Sequence, residues 1–377
     1  MKKILIGSFA SSVILFAQGI DYKYDFNARI EYDIGNFNIT DDKYSESKVR
    51  RARVSHKGAF FDKKLFYEIE VDGANYLNSD EDNELEFKDN YIGYKNKSKY
   101  LDLSYRFKVG NTKVPFSLDS YSGSRYSSFM ESPLTDTFTQ NRKLGIEGLF
   151  SKKVNNHKVN LFLGAFKNSI DEKRDDDIDK IRKAIKTTYS YKFSKNHLLH
   201  FGGSYLYSKI NDDNIKYSQE AESNLILHKY ISTKVKNVDT TKDTELELLY
   251  IKNSFHFQAE YIQSKVNTDV DDYSFSGYYA QVGYFLFGSS KNFKTTNSKF
   301  SGKKMNNKDV ELALRYSKID LNDKDEQGGV QKDYNLGVNW YFNKNIKLMS
   351  NYIIAYPKSD EYNGKFRILQ GRIAISF

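Results

Sequence analysis

The sequence contains no cysteine and only three prolines in 377 residues. The absence of cysteine excludes a disulfide framework, so stability has to come from backbone hydrogen bonding and packing. Pro115, Pro133 and Pro357 each lie between strand-like stretches rather than inside one. This placement suits uninterrupted hydrogen-bonded strand ladders.

The chain also lacks a long apolar run. An apolar stretch from Ile4 to Phe16 follows Lys2 and Lys3 and precedes small residues up to Gly19. This pattern predicts a secretory signal peptide over residues 1–19, with export through the Sec pathway. The stretch is too short to cross a bilayer as a helix, and no other stretch approaches the roughly 18 apolar residues that a helical span needs. A membrane location for residues 20–377 therefore requires β-strands.

Hydrophobic residues are scarce, at 39%, and the mean hydropathy is −0.68, yet aromatic residues reach 15%, with 30 Tyr, 27 Phe and one Trp. A membrane barrel is polar on average because half of each strand faces water, while Tyr and Phe collect at the two membrane interfaces. A soluble sandwich of this length would need a larger aliphatic core. A soluble secreted β-protein is the competing fold, since it also tolerates the absence of cysteine.

Regular alternation of apolar and polar side chains marks both ends of the predicted mature chain. Residues 22–34 alternate without exception, and residues 369–377 show the same period of two. This period is typical of a β-strand with one face in lipid or core and the other in water. We therefore predict an all-β fold, a transmembrane antiparallel β-barrel in one domain over residues 20–377.

The same pattern predicts about sixteen strands, an even number because both termini should lie on the periplasmic side. Short turns at 61–63, 194–196 and 343–345 alternate with long connections at 35–47 and 167–181. Residues 208–243, with a weak strand pattern near 221–231, are assigned to one long loop. The predicted strands are 22–34, 48–60, 64–74, 85–94, 100–109, 143–151, 157–166, 182–193, 197–207, 244–252, 254–263, 277–287, 309–319, 333–342, 346–356 and 366–377.

Residues 288–308 break the rule of short turns on the periplasmic side. This stretch carries six lysines and no acidic residue. It is either an anion-attracting periplasmic mouth or a solvated flexible turn.

A connection of some thirty residues, about 111–142, combines two prolines, one glycine, aromatic residues and basic residues. Loops of this length are usually functional, and this one is too apolar to stand in water. We predict that it folds into the lumen and narrows it. Lys113 and Arg125 would then line the narrowest point, with Arg142 near the end of the loop.

Successive side chains of a strand point to opposite faces, so odd and even positions belong to different faces; we call this strand parity. It also predicts which charged residues of the wall face the lumen. Arg29 on the first strand, and Arg51 and Arg53 on the second, point inward, because their neighbours of opposite parity are apolar. Guanidinium groups fit phosphate oxygens, and rings of Arg or Lys make pores select anions. Alternatively, the arginines pair with acidic residues of the same parity, namely Glu31, Asp33, Glu68, Glu70, Asp72 and Glu147. The net charge of +9 also suits nucleic acid, but a secreted chain argues against that partner.

Several stretches resemble the phosphate-selective porin O and P family, in chain order. They are Val49–Val54, Phe107–Gly110, Lys113–Phe116, Ser124–Tyr126, Phe129–Glu131, Asn141–Gly145, Gly277–Tyr279, Glu311–Ser317 and Leu336–Tyr341. The resemblance implies an outer-membrane homotrimer of sixteen-stranded barrels, in contact with lipid and lipopolysaccharide, that passes phosphate or pyrophosphate. It assigns anion binding to Arg29, Arg51 and Arg125, with Ser124 as a hydroxyl donor. The terminal Phe377 resembles the aromatic residue by which such barrels are recognised for assembly.

An enzyme is the competing class, and its base would have to be one of six histidines. None stands in a recognisable nucleophile setting or metal-ligand spacing, and His197 and His200 have opposite parity. We therefore predict no catalytic residue, no metal and no cofactor. Two further functions are compatible with a barrel of this kind: a general diffusion porin of weak selectivity, and a surface-exposed structural or adhesive protein.

Overall fold

The computed structural model describes residues 22–39, 42–78, 84–168, 170, 180–226, 228–302 and 308–377. The predicted signal peptide lies outside these residues. Sixteen strands form one closed antiparallel barrel, and a two-stranded hairpin, β13–β14, interrupts the chain between β12 and β15. The strands are β1 (Lys23–Ile39), β2 (Asp42–Phe60), β3 (Leu65–Asp72), β4 (Glu86–Ser98), β5 (Leu103–Lys113), β6 (Arg142–Val154), β7 (His157–Phe166), β8 (Ile181–Ser194), β9 (His197–Gln219), β10 (Ile231–Lys252), β11 (Phe255–Thr268), β12 (Asp272–Phe285), β13 (Phe293–Lys294), β14 (Lys299–Phe300), β15 (Asp309–Asp323), β16 (Glu326–Tyr341), β17 (Ile346–Lys358) and β18 (Phe366–Ser376).

The barrel closes by pairing of its first and last strands. β1 runs antiparallel to β18, with Arg29 opposite Ser376. The backbone N–H of Phe377 donates to the carbonyl oxygen of Ala28 at 2.9 Å. Closure leaves no unpaired strand edge in the wall, which is the condition for a sheet to stand in lipid. The predicted strand number and barrel class are confirmed.

The alternation of side chains explains the two faces of the wall. On β1, Tyr24 and Phe26 are 70% and 60% exposed on the outside, while Glu31 and Asp33 are buried inside. On the outer face, tyrosine rings of four neighbouring strands form a row: the ring centroids of Tyr278, Tyr316, Tyr334 and Tyr356 are successively 5.9, 5.0 and 6.0 Å apart. Such rows are typical of the aromatic girdle at a membrane interface.

Both termini of the barrel lie at one end, which we call the terminal rim; the other end is the distal rim.

The assignment of residues 208–243 to one long loop is wrong, because β9 extends to Gln219 and β10 begins at Ile231. The outer face of those strand ends is polar, with exposed Lys209, Lys216 and Lys234, while apolar residues such as Ile210 and Val235 are buried on the inner face, so no apolar outer face marked them as membrane strands.

Three connections fold into the lumen. They are the constriction loop (residues 114–141), the 220–230 loop, also from the distal rim, and the rim hairpin (residues 288–302), from the terminal rim. The predicted inward course of the constriction loop is confirmed, because its Phe116, Leu134 and Phe138 are buried against wall residues of β9–β12. The 220–230 loop packs Leu225 and Ile226 against the wall near β17 and β18.

The rim hairpin packs Phe293 and Phe300 against Leu118 of the constriction loop. The described residues of the rim hairpin are therefore not a solvated turn; residues 303–307 lie outside the described part of the chain.

The described part of the chain also contains two short α-helices, α1 (Ala74–Asn78) and α2 (Leu118–Ser122). Neither is long and apolar enough to cross a membrane.

Candidate functional site

A cavity of about 910 Å³, the main cavity, lies between the wall strands β1–β6 and the constriction loop. All seven residues predicted as the site line it: Arg29, Arg51, Arg53, Lys113, Ser124, Arg125 and Arg142. Twelve basic and eight acidic side chains line the main cavity, so its lining is net positive. The basic residues are Arg29, Arg50, Arg51, Arg53, Lys57, Lys88, Lys108, Lys113, Arg125, Arg142, Lys143 and Lys299; the acidic residues are Glu68, Glu70, Glu84, Glu86, Asp89, Asp119, Glu131 and Asp136.

A smaller cavity of about 180 Å³, the rim cavity, lies toward the terminal rim. Four residues line both cavities and form what we call the junction: Arg29, Ser124, Arg125 and Tyr126. Lys291, Lys344 and Lys347 line the rim cavity beyond it. Arg125 thus lies where the two cavities meet, whereas Lys113 and Arg142 line only the main cavity.

The wall arginines are paired with carboxylates, the second of the two arrangements that strand parity allowed. Arg29 and Arg51 share Glu31, and the Arg51 Nη1 to Glu31 Oε2 distance is 2.5 Å. Arg53 Nε lies 2.6 Å from Asp72 Oδ2. Each carboxylate compensates part of the positive charge of its arginine. The guanidinium N–H groups that do not face the carboxylate keep their capacity to donate hydrogen bonds.

Arg142 is paired in the same way, with its Nη2 atom 2.6 Å from Asp89 Oδ2. Two donors in these pairs are unused, because the buried Nε atoms of Arg51 and Arg142 have no hydrogen-bond partner among the described residues. A buried N–H group without a partner is costly, so a solute oxygen that reached it would gain a hydrogen bond.

Two basic residues of the constriction loop region differ from the wall arginines. Arg125 is exposed, and within the described residues it forms no ion pair with a carboxylate. The Lys113 ammonium donates to the carbonyl oxygen of Ser120, a neutral acceptor. The positive charge of Arg125 therefore faces the junction uncompensated by a direct contact.

Two β-bulges bring further charges into the main cavity. Opposite Glu31 and Tyr32 of β1, strand β2 carries Arg51 and Val49, so Arg50 is an extra residue. A bulge of this kind re-aims a side chain, and Arg50 faces inward beside Arg51. A second bulge, between β3 and β4, brings Lys88 and Asp89 inward together. Strand parity could not find these residues, since an extra residue inverts the pattern.

The sequence analysis also missed how the constriction loop is fixed to the wall. Glu131 of the loop accepts two hydrogen bonds from Arg50, both at 2.8 Å. Arg372 of β18 reaches Glu131 at 2.6 Å and binds both oxygens of Asp33, also at 2.6 Å. Burial alone would raise the pKa of Glu131, but Arg50 and Arg372 hold it well below its usual range. Glu131 is therefore an anchor rather than a free anion.

Lys299 and Asp136, which also line the main cavity outside the wall strands, have pKa values shifted toward neutrality. Burial, together with the positive charges of Lys108 and Arg106, lowers the pKa of Lys299 on the rim hairpin to about 8. Burial, together with the negative charge of Asp119, raises the pKa of Asp136 on the constriction loop to about 6. The charge of the lining therefore varies between mildly acidic and mildly alkaline pH.

Three buried carboxylates, Glu245, Glu247 and Glu260, lie close enough together to hold a metal ion. Lys186 Nζ already lies 2.6 Å from Glu247. Glu260 accepts the backbone N–H groups of Leu118 and Asp119, both at 2.8 Å. Glu260 is therefore an attachment point for the constriction loop and Glu247 is paired within the wall, whereas Glu245 Oε1 has no hydrogen-bond partner among the described residues.

One histidine does lie in a nucleophile-like setting, contrary to the sequence analysis. The ring of His200 lies 2.8 Å from Ser190 Oγ and 3.0 Å from Glu247 Oε1. Strand pairing, not sequence spacing, brings these residues together. All three are buried in the wall, and none lines either cavity. A solute in the lumen therefore does not reach them.

The family model described as "Phosphate-selective porin O and P" matches residues 23–370. Porin O of Pseudomonas aeruginosa is 35% identical over 125 residues, which cover 29% of this chain and 28% of that protein. The match thus spans less than a third of that relative.

Solved structures of outer-membrane proteins share the fold. The in-vitro folded OmpT of Vibrio cholerae, in its trimer form, superposes with a TM-score of 0.58 at 10% identity, over 94% of this chain and 99% of that one. The anion-selective porin of Comamonas acidovorans superposes with a TM-score of 0.57 at 12% identity, over 95% of this chain and all of that one. At these identities the likeness concerns the barrel architecture alone.

Proposed function

Because the chain belongs to the phosphate-selective porin O and P family, we propose that its lumen passes small anions, including phosphate and pyrophosphate. The protein is an outer-membrane channel of the porin type. In this proposal the terminal rim faces the periplasm and solutes cross the main cavity, the junction and the rim cavity in turn. Passage is passive diffusion, and no catalytic step is involved.

The observation that carries the proposal is the uncompensated guanidinium of Arg125 at the junction of two cavities with net positive linings. Arginine presents planar paired donors that match two oxygens of a phosphate, whereas lysine acts as a point charge. Ser124 adds a hydroxyl donor beside it. An anion that enters the main cavity is thus attracted toward the junction.

Conduction also requires that the anion leave again. A site that binds too tightly stops flux, so binding must be strong enough for entry and weak enough for release. Glu31 lies between Arg29 and Arg51 and limits the positive charge that they present. Selectivity in this proposal comes from Arg125, Lys113 and Lys299.

A second candidate is a general diffusion porin of weak selectivity. It is favoured by the carboxylate partners of Arg29, Arg51 and Arg53. In such a channel the mixed lining charges cancel for a passing ion, and the channel filters by size alone.

Reversal potentials across a planar bilayer in a KCl gradient separate the two candidates. The proposal expects chloride preference, and millimolar phosphate should lower the chloride current, because a bound dianion must leave before the next ion passes. Potassium preference would contradict anion selectivity. Chloride preference with no phosphate effect would leave an anion channel without a phosphate site.

The proposal includes assembly as a homotrimer in the outer membrane, in contact with lipid and lipopolysaccharide, after export through the Sec pathway. The trimer form of the Vibrio cholerae neighbour and the apolar outer face support it. Light scattering of the purified protein in detergent should give the mass of three chains, after the detergent contribution is subtracted. The mass of one chain would exclude a stable trimer.

A further inference from the structure

We infer that Glu311 positions the junction, although it lines neither cavity. Glu311 stands on β15, and its carboxylate is fully buried. Five donors from the wall, the constriction loop and the rim hairpin surround it. They are Ser128 Oγ at 2.6 Å, Tyr341 Oη at 2.7 Å, His256 Nε2 at 2.9 Å, Lys291 Nζ at 3.1 Å and Asn339 Nδ2 at 3.1 Å.

The first connection runs through the constriction loop. Ser128 donates its hydroxyl to Glu311 Oε1, and the Ser128 carbonyl oxygen accepts from Asn339 Nδ2 at 2.8 Å. Asn339 donates to Glu311 as well. Side chain and backbone of Ser128 are thus both fixed, three residues after Arg125 in the chain.

The second connection runs through the rim hairpin and reaches the junction itself. Lys291 Nζ lies 3.1 Å from Glu311 Oε1 and donates to the carbonyl oxygen of Tyr126 at 3.0 Å. Tyr126 ends the short 3-10 turn that begins at Ser124 and contains Arg125. One ammonium group therefore joins the buried carboxylate to the backbone that presents Arg125.

The negative charge of Glu311 is essential to this arrangement. Lys291 is nearly buried, with 8% of its side chain exposed, and Glu311 is the carboxylate that compensates it. Glu311→Gln keeps the size of the side chain but removes the charge, and its amide N–H₂ would face donors rather than acceptors. A buried ammonium group that has lost its carboxylate is strongly destabilising. Lys291 should therefore move toward the rim cavity and release the carbonyl oxygen of Tyr126.

The test uses the absence of cysteine, because a single introduced thiol is then the only one in the chain. In Ser124→Cys, the rate of reaction with a water-soluble methanethiosulfonate reagent reports access to the junction. Adding Glu311→Gln should accelerate labelling by about three- to tenfold, as expected for the loss of one or two hydrogen bonds.

Asp243→Asn is the matched control. It makes the same carboxylate-to-amide change at a buried wall position whose carboxylate accepts from Ser264. It should leave the labelling rate unchanged. An equal acceleration in this control would mean that any buried charge loss loosens the barrel, which would overturn the inference.

A double substitution separates positioning from general loosening. If Glu311 acts through Lys291, then Lys291→Met accelerates labelling by itself, and Glu311→Gln adds little to it. Additive effects would contradict the second connection. Ser128→Ala, which removes only the hydroxyl donor of the first connection, keeps the inference testable if Glu311→Gln fails to fold.

The inference rests on the proposed role of the junction, but its failure is distinguishable from a failure of that proposal. Labelling requires no ion flux, so accelerated labelling in an unselective channel would support Glu311 while contradicting anion selectivity. Unchanged labelling in an anion-selective channel would contradict Glu311 alone.

Discussion

Reversal of the charge at Arg125 is the most direct perturbation of the passage. Arg125 is exposed at the junction and has no carboxylate partner among the described residues, so Arg125→Glu breaks no ion pair of the folded barrel. The substitution replaces an attractive charge for anions with a repulsive one. We expect the chloride-to-potassium permeability ratio to fall while the barrel remains folded.

The expected magnitude follows from Coulomb's law in a water-filled passage. A unit charge about 4 Å from a monovalent ion contributes about 1 kcal/mol in water, so the reversal changes the energy of the ion by about 2 kcal/mol. Salt weakens this effect over a screening length of about 10 Å at 0.1 M, which leaves contact distances partly unscreened. We therefore expect the permeability ratio to fall by about tenfold or more.

The measurement is the reversal potential of the purified channel in a KCl gradient. Arg367→Glu is the matched control, because Arg367 lies on β18 with its side chain exposed on the outer face, in the parity of Leu369 and Ile373. Its permeability ratio should equal that of the wild type. An unchanged ratio in Arg125→Glu would refute the position of Arg125 beside the ion path, and an equal fall in the control would show that overall protein charge is responsible.

Two further predictions concern pH and loop attachment. Because the pKa of Lys299 is lowered to about 8, its charge is present below that pH and lost above it, so chloride preference should weaken as the pH rises through about 8. Lys299→Met should remove this step from a plot of reversal potential against pH; a step that persists would assign it to another group. Arg372→Met leaves Asp33 and Glu131 without their shared partner, which should cost about 3–5 kcal/mol of stability and lower the melting temperature measured by circular dichroism. An unchanged melting temperature would show that Arg50 suffices as the partner of Glu131 and that Arg372 adds no stability.

Strand parity predicted the parts of the site that depend on local alternation. The β7 strand was predicted at 157–166 and is observed over the same residues, and Arg29, Arg51 and Arg53 face the lumen as expected. Parity works because a wall between lipid and water imposes opposite chemistry on successive residues. Arg50 escaped the same reasoning, since a bulge adds one residue and the pattern gives no sign of it.

Contacts between residues far apart in the chain could not be predicted from the sequence. Glu311, Lys291 and Tyr126 meet only because a loop from one rim and a hairpin from the other cross the lumen and touch the same wall. The lysine content of residues 288–308 was visible, but their inward course was not, because it depends on Phe293 and Phe300 packing on the constriction loop.

The sequence by itself determined a wall of sixteen alternating strands and the inward arginines, because both follow from the period of a strand between lipid and water. It also determined the inward loop, because that connection is too long and too apolar to stand in water. The tertiary structure alone decided which of these charges are compensated. Ion pairs such as Arg372 with Asp33 join residues far apart in the chain, and only closure of the barrel brings them within hydrogen-bonding distance.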